Sequence, residues 1–350
     1  MEREKNFLTY ALFVSFFPQL VAGPIERSAN LLPQLHKTHK FDYNRVTDGL
    51  VLMAWGFFKK LVISDGAALI VNAVYNDVTK YTGIQLVMAT FLFAFQIYCD
   101  FSGYSDIAIG AARVMGFKLM RNFYHPYFSQ GIAEFWRNWH ISLSGWFMDY
   151  VYFPLGGSRK GTARTYINLM ITFLVSGLWH GASWNFVIWG GINGLYNVVE
   201  RILFGKKQAQ LRRLKKSGQP LPPVHPAVKV IKAVVTFILI DFTWIFFRAN
   251  TLSDAVYVLQ NMFSDVSLLF TSGYFTQAME TIGYYANNGT AILVCIVLMF
   301  IVELWEGKGE LIDRINKCAA PVRWAFYYAM ILLILFFGYF GQSQFIYFQF

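Results

Sequence analysis

Apolar runs long enough to cross a bilayer recur along the whole chain, and nothing constrains its fold more. A hydrocarbon core of about 30 Å needs roughly 20 predominantly apolar residues in a helix. Backbone amides in lipid have no water to bond, so only helices or closed barrels can span it. Runs of helical length lie at about 7–22, 47–64, 84–101, 165–180, 184–204, 228–247, 290–305 and 324–341. They predict an all-α, polytopic transmembrane bundle. The 47–64 run contains Lys59 and Lys60 and is expected to lie partly at the interface. The 130–155 stretch is too polar and too broken by glycine for a simple span. It reads as re-entrant or enclosed by protein, where irregular backbone is tolerated at membrane depth.

Composition agrees. Charged residues are 14% of the 350, against about 25% in an ordinary soluble domain. Aromatic residues reach 19%, which suits Trp and Tyr belts at the membrane surfaces. Cys99, Cys295 and Cys318 are far apart and match neither a disulfide framework nor a metal spacing. No cleavable signal peptide is visible, because the first apolar run is interrupted at Pro18.

The net charge of +10 sits mostly in loops, which is topogenic rather than a sign of nucleic acid. Residues 205–226 hold six Lys or Arg and no acid, whereas 249–290 hold no Lys or Arg. The first loop is therefore expected to be cytoplasmic and the second external. The basic loops 158–165 and 306–323, the latter with Lys308, Arg314, Lys317 and Arg323, fall on the cytoplasmic side. The alternation holds if the turn around His180 faces outward. The polybasic loop also suits anionic headgroups or a carrier. Gly156-Gly157 lacks the strand-to-helix setting of a nucleotide loop and reads as a surface turn.

Ionisable residues at membrane depth are costly and by default mark function or paired structure. Of six histidines, His36, His39, His125 and His225 lie in loops. His140, in AEFWRNWHISLSGW, and His180, in SGLWHGASW, are each bracketed by Trp. Two histidines without a third ligand make a poor metal site, so no metal is expected. Ser142, Ser144 and Ser183 lack a nucleophile-elbow signature. A general base remains, since imidazole titrates near neutrality; a histidine hydrogen-bonded across helices for packing carries equal weight on these grounds. Asp100, Asp106 and Asp241 also interrupt apolar sequence. The first two suit orienting a histidine, hydrogen-bonding a donor's polar group, or satisfying a helix end.

The blocks QLVAGPIER, QIYCDFSGYSDIAIGAARVMGF, NFYHPYFSQGIAEFWRNWHISLSGWFMDYVYFPLGGSRKG, SGLWHGASWNFVIWGGINGLY and DFTWIFFRA together resemble the membrane-bound O-acyltransferase family. The alginate O-acetyltransferase membrane subunits form the most similar branch, and the teichoic acid D-alanyl transfer proteins are further relatives. The resemblance implies a multi-helix bundle with a tunnel, in which the histidine of the WHG block is catalytic; that position is His180. The second family histidine falls on His140.

The same resemblance implies an acyl thioester donor, acetyl-coenzyme A or an acyl carrier, as co-substrate with no bound cofactor. It implies a bacterial inner-membrane location. The expected partners are the lipid bilayer and an exported cell-envelope polysaccharide, or an extracytoplasmic SGNH-hydrolase-like acyltransferase that completes transfer. Relatives carry several further helices before NFLTYALFVSFFPQLVAGPIE. Residues 1–350 are thus expected to be a single O-acyltransferase domain lacking the N-terminal helices. D-alanyl transfer to teichoic acid, a transporter or flippase with the histidines as a proton relay, and an inert structural subunit are the alternative readings.

Overall fold

The computed structural model describes residues 4–220, 222–307, 309–341 and 345–346, without the side chains of Arg212 and Lys215. Lys308 therefore lies outside the described residues. Among the described residues every regular element is helical. In chain order these are α1 Phe7–Ser15, α2 Ser28–Leu35, α3 Tyr43–Phe57, α4 Asp65–Tyr75, α5 Ile84–Met115, α6 Ile132–Asn138, α7 Ile141–Phe147, α8 Thr162–His180, α9 Trp184–Lys216 and α10 Pro226–Arg248. The chain then continues through α11 Leu252–Asn261, α12 Tyr274–Thr281, α13 Gly289–Glu306, α14 Leu311–Asn316 and α15 Ala320–Phe337.

Helices α5, α10, α13 and α15 have the length and apolarity to cross a membrane. Helix α5 is largely enclosed by its neighbours, whereas α15 turns Trp324, Tyr328, Leu332, Leu335 and Phe336 outward. Exposed apolar surface of that extent needs lipid around it. The protein is an integral membrane protein.

The chain forms two compact units, residues 1–122 with 260–350, and residues 123–259. In the first, α3 packs along α5 through facing glycines. A Cβ on Gly56 would stand 2.5 Å from the Gly103 carbonyl oxygen, and one on Gly110 would stand 2.6 Å from that of Gly49. Small residues let backbones approach this closely where lipid supplies no hydrophobic drive between helices.

The apolar run at 47–64 does not form one interfacial helix. Helix α3 passes into a π-helical segment, Phe58–Ser64, and then into α4. Neighbouring side chains of an α-helix diverge by about 100°. The wider π turn lets Lys59 and Lys60 both enter the interior, where Lys59 pairs with Asp106 at 2.5 Å and Lys60 with Asp100 at 2.5 Å and Asp65 at 2.7 Å. Asp100 and Asp106 accordingly lie inside α5, which runs on to Met115, and cap no helix end. Charge pairing outweighs the capping tendency of Asp, because an uncompensated charge in lipid costs far more than a missing cap.

Two further boundaries differ from the sequence expectation. The first apolar run is helical only to Ser15, since Pro18 and Gly23 follow. The basic stretch after Phe204 is no loop: α9 continues to Lys216, because GKKQAQLRRLKK is rich in straight-chain helix formers. The 130–155 stretch is broken as expected, into α6, α7 and a π-helical turn at Met148–Tyr152.

Candidate active site around His180 and His140

Residues 123–259 hold both Trp-flanked histidines in one unit. His180 is the last residue of α8, and Gly181 to Ser183 make the corner into α9, with Ser183 Oγ accepting the Asn185 N–H at 3.3 Å. The corner closes because α8 and α9 touch at glycines. A Cβ on Gly177 would collide with the Phe186 carbonyl, and one on Gly190 with that of Phe173. Gly194 meets Met170 in the same way, its Cβ position 3.0 Å from the sulfur.

This crossing seats the His180 ring among aromatic walls. Trp189 lies 5.2 Å away edge to face, Phe247 5.1 Å away, and Phe186 6.3 Å away, between ring centroids. His180 itself is half-buried, while Trp189 is 1% exposed. Phe247 and Trp244 come from α10, where Trp244 stacks on Trp189 at 6.1 Å and 19°.

The FWRNWH block fits onto the same layer. Trp136 meets Trp189 at 5.5 Å and Trp139 meets Trp244 at 5.1 Å. The next residue, His140, is buried and stacks on Phe123 at 6.4 Å. The aromatic layer thus unites two blocks that stand 40 residues apart.

His140 also has φ 44°, in the left-handed region. Only His125 and Asn288 share such a φ among the described non-glycine residues. This conformation ends the short helix α6 and starts α7, where the His140 carbonyl accepts the Ser144 N–H at 2.9 Å. Strain of this kind persists where surrounding structure over-determines it, often at functional sites.

A polar frame holds the aromatics in place. The Trp136 indole N–H donates to Asn193 Oδ1 at 3.2 Å, and Asn193 Nδ2 donates to the Trp189 carbonyl at 2.9 Å. Asn197 repeats the bond to Asn193, and Asn185 Nδ2 donates to the Ala249 carbonyl at 2.7 Å. Glu200 accepts the Ala133 N–H at 2.9 Å, fastening α6 to α9. The sequence reading missed this frame, although the signal is there: residues 185, 189, 193, 197 and 200 form one polar and aromatic stripe at helical spacing.

The remaining sequence candidates have other surroundings. The Ser144 hydroxyl donates to the Trp136 and Trp139 carbonyls at 3.1 and 3.2 Å. Asp100 and Asp106 pair with lysines in the other unit's interior, as described above. Asp241 lies in α10, three residues before Trp244, with its Oδ1 buried and without a hydrogen-bond partner. His36 pairs with Glu4, His39 with the Gln34 carbonyl, and His225 accepts the Ala227 N–H at the start of α10.

Residues 3–247 match MBOAT, the membrane-bound O-acyltransferase family. The chain belongs to that family. A probable alginate O-acetylase of Pseudomonas aeruginosa is 40% identical over 299 residues, 84% of this chain and 52% of that protein. A peptidoglycan O-acetyltransferase of Helicobacter pylori is 37% identical over 311 residues, 85% of this chain and 56% of that protein. A teichoic acid D-alanyltransferase of Bacillus subtilis is 28% identical over 253 residues, 68% of this chain and 60% of that protein. The chain therefore spans about half the length of the first two of these curated relatives.

Proposed function

We propose that this chain carries the catalytic centre of a membrane-bound O-acyltransferase that moves acetyl from a thioester donor toward hydroxyls of an exported cell-envelope polysaccharide. The observation that carries the reading is the His180 ring, half-buried at the end of α8, walled by Trp189, Phe186 and Phe247, and joined through Trp189 and Trp244 to Trp139, the neighbour of His140. His180 acts as general base. Its imidazole takes the acceptor hydroxyl proton as the oxygen attacks the thioester carbonyl, then returns that proton to the departing thiolate. A placed base of this kind contributes about a hundredfold to ten-thousandfold.

His140 is the positioning residue, its strained backbone fixing the ring in the interior. Acetyl rather than D-alanyl is favoured by the higher identity to the proteins named as O-acetylase and O-acetyltransferase. The donor is acetyl-coenzyme A or an acetylated carrier, and the site is the bacterial inner membrane. An extracytoplasmic SGNH-hydrolase-like acyltransferase is the partner that passes the group to the glycan.

The test compares envelope glycans from cells carrying the native chain and His180→Ala, measuring ester-linked acetate by NMR after purification. Loss of the ester signal is expected. An unchanged signal removes His180 from catalysis, and substrate movement without any ester points to transport instead.

A further inference from the structure

Cations gather where the exposed apolar surface of α9 and α10 ends. Residues 201–240 hold nine Lys or Arg and no acid. Helix α10 has the length and apolarity of a span, and Lys229 and Lys232 stand in its first two turns. Both lysines are exposed, and Val230, Ile231 and Val234 around them are each more than half exposed. Three residues apart, the two lysines share a helix face. On α9 the exposed Ile202, Leu203 and Phe204 give way directly to exposed Lys206 and Lys207. The two helices run antiparallel, since Trp189 stacks on Trp244 while Phe186 meets Phe247. At about 1.5 Å per residue, Lys229 lies about 22 Å and Lys206 about 26 Å along its helix from that stack. The lysines of both helices therefore stand near one level. Trp184, 72% exposed at the start of α9, is about 30 Å along the helix from Phe204, the thickness of a hydrocarbon core.

We propose that Lys206, Lys207, Lys229 and Lys232 bind the headgroup phosphates of anionic phospholipids at the membrane boundary. Lysine stems lie along apolar surface and carry the ammonium to the headgroup layer, where anionic lipid attracts it. Charge and place together select this occupant. The four cations call for an anion, and one that reaches them beside exposed Phe204 and Ile231 has to carry acyl chains. A soluble acidic partner would meet Arg213 and Lys216 instead, which are exposed about 9 and 14 Å further along α9 than Lys207. Orienting the chain asks only for cations on one side of the membrane; it does not ask for two helices to place them at the edge of their apolar surface. The inference stands apart from the acyl-transfer reading.

The full chain, purified and delipidated, is titrated with phosphatidylglycerol or phosphatidylcholine, and the binding constant of each lipid is read by native mass spectrometry. Three double variants accompany it: Lys206→Gln with Lys207→Gln, Lys229→Gln with Lys232→Gln, and Arg213→Gln with Lys216→Gln. Each keeps seven of the nine cations, and Gln is as good a helix former as Lys. A lysine at an anionic surface contributes about fivefold. The preference for phosphatidylglycerol is therefore expected to fall about tenfold or more in either lysine variant, and by less than about twofold in the Arg213 and Lys216 variant. Melting in detergent shows whether each variant folds. The native chain in rising ammonium acetate gives a measurement free of substitutions, in which screening should erase the preference. Equal affinity of the native chain for the two lipids overturns the proposal, as does a preference that survives high salt. A fall confined to the Arg213 and Lys216 variant also overturns it, and moves the contact off the membrane to an acidic soluble partner.

Discussion

The imidazole of His180 meets the indole of Trp189 edge to face, ring centroids 5.2 Å apart and planes at 86°. The two residues belong to consecutive helices joined by a corner of three residues, so the contact depends on how closely α8 and α9 cross. That closeness is set by glycine, and the setting of the His180 ring is therefore tied to backbone packing on the same two helices.

Neighbouring glycines make this testable. A Cβ on Gly190 would collide with the Phe173 carbonyl, a backbone atom that cannot move aside alone, whereas one on Gly191 would find Leu174 at 3.7 Å, an ordinary contact. Gly190→Ala is expected to cost about 1–3 kcal/mol through overpacking and to lower acyl transfer. Gly191→Ala is expected to be neutral or slightly stabilising, since Ala is the better helix former. Detergent melting curves of the two variants check this, and equal melting would show that the crossing tolerates a methyl group at Gly190.

The backbone of His140 offers a separate measurement. At φ 44° a Cβ carries a penalty of roughly 1–2 kcal/mol that glycine does not pay. His140→Gly and His140→Ala both delete the ring, so their difference isolates the backbone. The Gly variant is expected to be the more stable by about that amount, while both lose activity equally. Melting of the two in one detergent reads the difference, and an Ala variant at least as stable as the Gly variant contradicts the strain.

Much of the fold was legible because lipid leaves few choices for an apolar run. The ends of α8, α10, α13 and α15 fall within a few residues of the hydropathy boundaries. What hydropathy did not reveal depends on partners distant in sequence. Asp100 and Asp106 look like helix-terminal residues until Lys59 and Lys60 arrive from a π-helical turn, and that turn has no local hydropathy signature. The two histidines were visible from their Trp brackets. The aromatic layer that links their blocks was not, since it runs through Trp189 and Trp244, which read as ordinary apolar residues of their helices.

The lysine pairs of α5 carry their own prediction. Lys59 is nearly enclosed and holds Asp106 at 2.5 Å and Ser102 Oγ at 3.0 Å. Lys59→Met alone strands the carboxylate and is expected to cost about 3–5 kcal/mol. Adding Asp106→Leu removes the stranded charge, and most of the loss should return. Denaturant unfolding of single and double variants in detergent measures this coupling; additive losses would show that the pair is not a unit.

The stretch between α11 and α12 lies outside the spanning helices and answers to pH. Asp265 accepts hydrogen bonds from the Thr82 hydroxyl at 2.6 Å, the Tyr274 hydroxyl at 3.0 Å and the Ser264 hydroxyl at 3.0 Å. These donors, Thr82 foremost, hold its carboxyl below the usual carboxylate range. A carboxyl with a lowered folded pKa binds protons more readily when the chain is unfolded, so its contribution is present above the ordinary value of about 3.9 and fades as pH falls below it. The contact also ties Thr82, just before α5, to this stretch, where the Gly83 N–H donates to the Asn261 carbonyl at 2.9 Å. Amide exchange at Gly83 is therefore expected to quicken as pH drops from 5 through about 3, beyond the intrinsic pH dependence of exchange. Asp265→Asn keeps a carbonyl acceptor but no charge, so its protection should be weaker at pH 5 and flat across the same interval. A native chain whose protection is equally flat would show that the carboxylate is not what holds the α5 entry.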